Sequence, residues 1–103
     1  MTLVIPAANC RSMEDLRAQI DRIDRELVGL MAERQTYIER AAVLKTDRDT
    51  VHDSARIEDV VSKVIAEAKR QGLSPAIAEP VWRELIARCI ALEFEAFDRK
   101  RVG

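Results

Sequence analysis

Leu16-Arg17-Ala18-Gln19-Ile20-Asp21-Arg22-Ile23-Asp24-Arg25-Glu26-Leu27-Val28-Gly29-Leu30 is the stretch whose reading decides the architecture. Its apolar residues Leu16, Ile20, Ile23, Leu27 and Leu30 recur at steps of three and four, which puts them on one face of an α-helix. The same steps continue through Arg34, Tyr37 and Ala41 and then land on Lys45. Ser12 followed three residues later by Asp15 is a variant of the capping box and marks the start. No proline intervenes before Lys45, so the pattern predicts one helix of about 33 residues, or ~50 Å at 1.5 Å per residue.

Beyond it, Lys45-Thr46-Asp47-Arg48-Asp49-Thr50 is polar and breaks the period, which predicts a short loop. A second helix is expected from Asp53 or Ser54, burying Ile57, Val60, Val61, Val64, Ile65 and Ala68 and ending in Lys69-Arg70-Gln71-Gly72, basic residues followed by a glycine stop. Ser74-Pro75 supplies an N-cap and a proline at the first position of a third helix. That helix carries Trp82, Leu85, Ile86, Cys89, Ile90, Leu92 and Phe97, with a small irregularity expected at Pro80. The fold class is therefore all-α: a three-helix chain with a very long first helix, residues 1–11 forming a flexible N-terminal arm and residues 12–103 one all-helical domain. A ~50 Å helix exceeds what two shorter helices can cover in a domain whose radius of gyration is about 13 Å. The uncovered apolar face predicts a two-fold homodimer in which the long helices pack together.

The 103 residues are 48% apolar and 34% charged, which reads as a globular chain rather than a disordered one. Seventeen Lys and Arg against eighteen Asp and Glu give a net charge of -1, without the basic excess expected of a nucleic-acid binder. No apolar run approaches the ~20 residues of a membrane span. Cys10 and Cys89 stand far apart with no metal-like spacing, and His52 is the sole histidine, so neither a disulfide framework nor a metal site is predicted. Glycine is too sparse for a nucleotide-binding loop. A cytoplasmic, reduced setting follows as the expectation.

The chemistry-bearing residues are those that put charge where the helical period calls for an apolar side chain. Arg34 to Lys45 is eleven residues, about 1,100° of rotation, so both leave nearly the same face ~16 Å apart along the axis. On the third helix Glu93 interrupts the series Trp82, Ile86, Cys89, Phe97 in the same way. A shared pocket would set Glu93 against Lys45 and leave Arg34 to an anionic ligand. Asp53 and Arg56, three apart, would add a hydroxyl acceptor and a third cation. Arg17 is turned about 100° from Arg34, so it need not point into the same cavity and could instead reach an adjacent subunit. Each residue also has an ordinary reading: a snorkelling Arg34, a structural Lys45–Glu93 ion pair, Asp53 as an N-cap, Arg17 as a solvated side chain. Inward charge from three separate helices points instead to a small polycarboxylate, because arginine offers paired donors that match carboxylates.

Leu16-Arg17, Ile20-Asp21, Ile23-Asp24, Leu27, Leu30, Arg34 and Lys45 resemble the first helix of the all-helical chorismate mutase family. The resemblance extends over about residues 12 to 100 through Val51, Asp53, Arg56, Gly72-Leu73 and Glu93. It implies an intertwined homodimer with two equivalent sites, each taking one arginine from the other chain. Arg34 and the partner's Arg17 would bind the two carboxylates of chorismate or a close dicarboxylate analogue, and Arg56 would add positive field. Asp53 would hold the ring hydroxyl and Lys45 would donate to the ether oxygen. Glu93 stands at a position that the family fills with glutamine or glutamate. The implied reaction is the pericyclic rearrangement of chorismate to prephenate, with no cofactor, no metal and no covalent nucleophile. An ionised Glu93 has no proton to give the ether oxygen, so direct help from it requires the protonated form.

Two positions depart from the family pattern. Ile57 stands where a glutamate often contacts the substrate hydroxyl, and Cys89 stands where a small hydroxyl residue often helps a carboxylate. Cys89 reads as packing rather than as a nucleophile, since no histidine base lies beside it in the helical pattern. Ile57 and the tail Phe94-Glu95-Ala96-Phe97-Asp98-Arg99 also fit the related isochorismate pyruvate lyases, which release salicylate and pyruvate. A mutase for an amino analogue of chorismate and a non-catalytic helical dimer are the remaining alternatives.

Overall fold

The computed structural model describes the backbone of residues 3–102 and the side chains of residues 3–100. Three α-helices account for most of it: α1, Met13–Leu44; α2, Ser54–Gln71; and α3, Pro75–Val102. Single 3-10 turns lie at Ala7–Asn9 and Arg48–Thr50. The all-α, three-helix expectation holds, with α1 32 residues long.

Local chemistry explains each boundary. Ser12 Oγ accepts from the Asp15 N–H at 3.0 Å, and the Asp15 carboxylate reaches back to the Arg11 N–H at 3.0 Å. Two donors at the start of α1 are thus satisfied by side chains, one residue earlier than in the usual reciprocal box. Asp53 Oδ1 accepts from the Arg56 N–H at 3.1 Å and opens α2. Gly72 closes it with a left-handed φ of 80°, the Leu73 N–H reaching Ala68 O at 2.8 Å and the Gly72 N–H reaching Lys69 O at 3.4 Å. This is a Schellman motif, and a side chain at Gly72 would be strained. Ser74 caps α3, which is helical through Pro80.

By compactness the chain falls into two units, Met1–Thr36 and Tyr37–Gly103, with residues of α1 in both. In the first unit, Gln19 is buried and its Nε2 donates to the Leu3 carbonyl at 2.7 Å, while Oε1 accepts from Arg22 at 3.0 Å. The expected loose arm therefore has local order at Leu3 and at the turn Ala7–Asn9; Met1 and Thr2 lie outside the described residues.

In the second unit α2 packs on α3, burying Val61 and Ala68 on one helix and Ala78 and Ile86 on the other. Arg83 binds Glu58 through both guanidinium arms at 2.9 Å and so ties α3 to α2. A second cluster joins Ala42 at the end of α1, Val51 from the connection and Phe97 of α3, with Ile90, Phe94 and Ala96 against it. Phe97 is only 1% exposed, so the connection between α1 and α2 is anchored in core.

The predicted apolar faces of α2 and α3 are buried or half-buried throughout, but that of α1 is not. Ile20, Ile23, Leu27 and Leu30 are 42–63% exposed in the single chain. Among the described residues no helix is long and apolar enough to cross a membrane.

Candidate active site

Lys45 follows the last residue of α1, and its N–H still bonds back to Ala41 O at 2.9 Å. Its Nζ donates to Glu93 Oε2 at 2.6 Å. Glu93 is 5% exposed and sits on α3 beside Phe94 and one turn before Phe97. The Lys45 side chain keeps 30% of its surface, against 6% for that of Glu93. The pairing inferred from the helical period is therefore present. Carboxylate and ammonium are both needed there, because either charge alone at such burial would be costly. One ammonium proton is used by Glu93, and an ammonium has three.

The connection carrying Lys45 is fastened to α3 by side chains that the sequence reading passed over. Arg48 grips Asp98 in fork geometry, Nε to Oδ1 at 2.9 Å and Nη2 to Oδ2 at 3.3 Å, and its guanidinium lies 4.5 Å from the centre of the Phe94 ring. The bond to Asp98 pushes the already high Arg48 pKa further up. Lys100 Nζ donates to the carbonyls of Ala42, Val43 and Lys45 and lies 4.3 Å from the centre of the Phe97 ring. The signal was present in the spacing: Lys100 is seven residues, two helical turns, after Glu93 and so shares its face.

Asp53 and Arg56 are both committed within α2. The Asp53 carboxylate serves as its N-cap, and the Arg56 guanidinium turns to Asp59 at 2.7 Å, with Lys63 on the same carboxylate at 3.0 Å. Lys63 and Arg56 together hold the Asp59 carboxyl below its usual value. Ile57 and Cys89 are half-buried on α2 and α3. In the first unit, Arg17 is exposed on α1 and Arg34 is half-buried and engaged by a neighbouring group. A cavity of about 390 Å³ in that unit is lined by Val4, Ile5, Cys10, Leu16, Ile20 and Ile23 among others; none of the eight candidate residues lines it.

A family model described as chorismate mutase type II matches residues 16–94. The chain belongs to that family. The matched span contains Arg17, Arg34, Lys45, Asp53, Arg56, Ile57, Cys89 and Glu93, and ends before Asp98 and Lys100. The chain is 31% identical over 85 residues to the bifunctional chorismate mutase/prephenate dehydratase of Aquifex aeolicus, a match covering 79% of this chain and 24% of that protein. It therefore spans about a quarter of the length of the Aquifex protein. It is 24% identical over 93 residues to the isochorismate pyruvate lyase of Pseudomonas aeruginosa, covering 90% of this chain and 92% of that one.

Proposed function

We propose that this chain is a chorismate mutase that rearranges chorismate to prephenate, acting as a homodimer. The observation that carries the reading is the Lys45–Glu93 pair, a 2.6 Å bond between a buried carboxylate and a lysine whose side chain is 30% exposed. In the rearrangement a carbon–oxygen bond breaks as a carbon–carbon bond forms within one molecule, so no co-reactant is consumed. Negative charge builds on the ether oxygen as its bond to carbon stretches. A donor fixed in advance at that oxygen stabilises the transition state more than the ground state. Glu93 holds the Lys45 ammonium in one direction and leaves two protons for the substrate. When protonated, Glu93 is a second donor to the same oxygen.

In this reading Arg34 and the partner's Arg17 take the two carboxylates and hold the compact conformer in which the reacting carbons meet, a positioning effect. Asp53 accepts from the ring hydroxyl while capping α2, and Arg56 contributes field. Cys89 packs beside the carboxylate subsite, and Ile57 presents an apolar surface to the ring. The dimer is supported by the apolar stripe of α1, exposed in the single chain, and a cytoplasmic setting suits a small metabolite as substrate.

Isochorismate pyruvate lyase activity is the second reading, supported by Ile57 and by a match that spans 92% of the Pseudomonas lyase. Incubating the purified protein separately with chorismate and with isochorismate and identifying the products tests both. Prephenate from chorismate is expected; salicylate and pyruvate from isochorismate, without prephenate, would replace the mutase by the lyase.

A further inference from the structure

α1 ends without a basic residue in its last turn, so its final carbonyls are left to a partner from elsewhere. That partner is Lys100, whose single ammonium donates to the carbonyls of Ala42, Val43 and Lys45, the Val43 bond measuring 3.1 Å. Three acceptors use all three of its protons. By surface area Lys100 is an exposed residue, yet its charge is spent entirely on the backbone that carries Lys45, over the face of Phe97.

Glu93, Phe97 and Lys100 follow one another at steps of four and three and so form one stripe along α3. The stripe holds Lys45 at both ends. Glu93 fixes its ammonium, Lys100 fixes its carbonyl, and Phe97 fills the space beneath with Ala42 and Val51. A lysine side chain has four rotatable bonds, and an amine on such a stem is directed only if its backbone is also fixed. Neighbouring Arg48, gripped by Asp98, keeps the rest of the connection from peeling off α3.

We infer that Lys100 is a positioning residue for the rearrangement: by closing the end of α1 it fixes the backbone from which Lys45 is aimed. The inference rests on the reading of Lys45 as the donor to the ether oxygen. Lys100 touches no substrate and acts only through Lys45. It lies outside the span matched by the family model, so its anchoring contact is drawn from this chain's own geometry.

The test is a double-mutant cycle in the full-length protein with Lys100→Met, Lys45→Met and the double variant, using whichever isomer the wild type converts. Lys100→Met should lower kcat about 10- to 100-fold with KM within about twofold, as expected when a group is misplaced by about 1 Å. In the Lys45→Met background the same change should alter kcat less than about twofold, because the amine it aims is gone. Equal losses in both backgrounds, or an unchanged kcat, overturn the inference. If Lys100→Met does not fold, Lys100→Arg takes its place in the cycle; a planar guanidinium cannot bring three bonds to one point, so a smaller loss with the same dependence on Lys45 is expected. Amide hydrogen exchange separates the two layers. If the wild type converts neither isomer, the functional reading falls and the kinetic role falls with it. The anchor is then decided by exchange alone: faster exchange in residues 44–50 of Lys100→Met, with residues 55–70 unchanged, supports it, and unchanged exchange in both segments removes it.

Discussion

Replacing Lys45 by methionine keeps an unbranched side chain one atom shorter and removes its charge, leaving Glu93 without the ammonium that sits 2.6 Å from its Oε2. Removing one partner of a fully buried ion pair costs about 3–5 kcal/mol, because the remaining charge is desolvated and unpaired. Glu93 meets that description at 5% exposure, but the Lys45 side chain is 30% exposed, so the pair as a whole is only partly desolvated. The expected loss is therefore about 2 kcal/mol, below the fully buried figure and above the ~0.2–1 kcal/mol of an exposed pair. Removing the second charge should reverse part of it, and Lys45→Met/Glu93→Leu should be at least ~1 kcal/mol more stable than Lys45→Met alone. The measurement is urea unfolding near pH 7 at one fixed protomer concentration, since the stability of the proposed dimer would depend on concentration. A Lys45→Met variant within about 0.5 kcal/mol of wild type, with no recovery in the double variant, would show that the pair behaves as a surface salt bridge and would refute the reasoning.

Glu58 is held below its usual value of 4.5 by its bonds from Arg83. A folded-state value below the unfolded one stabilises above about 4.5 and loses that contribution as pH falls through the folded value. The small Tm gap between wild type and Glu58→Gln at neutral pH should accordingly close as the pH drops to about 3, and a constant gap counts against the bridge. Leu30→Lys, placed in the exposed stripe of α1, should convert a particle of twice the 11.7 kDa chain mass into single chains by light scattering. An unaltered mass in that variant would move the interface elsewhere.

The helix ends were legible because each is written in short-range chemistry: Ser12 with Asp15, Asp53 before Arg56, and Gly72 in the left-handed region. The Lys45–Glu93 pair was legible for a related reason, since a charge interrupting an apolar period on each of two helices has few partners available. Periodicity says which face of α1 is apolar but not what covers it, and Ile20, Ile23, Leu27 and Leu30 remain exposed in the single chain. Arg56 turns to Asp59, an i, i+3 partner that the reading of Arg56 as a third cation at the ligand left out. Lys100 escaped notice because its spacing from Glu93 gives the face it shares on α3 but not what a long side chain near the helix end reaches. Its role depends on carbonyls 55 to 58 residues away in sequence.

Whether Lys45, held by Glu93, serves the rearrangement of chorismate is tested most directly by following chorismate with wild type and Lys45→Met side by side and quantifying prephenate. Prephenate should be the product of the wild type, with kcat at least ~10²-fold lower in the variant, the loss typical of removing one transition-state donor. Equal rates of prephenate formation in the two proteins, or no prephenate from the wild type, would contradict it.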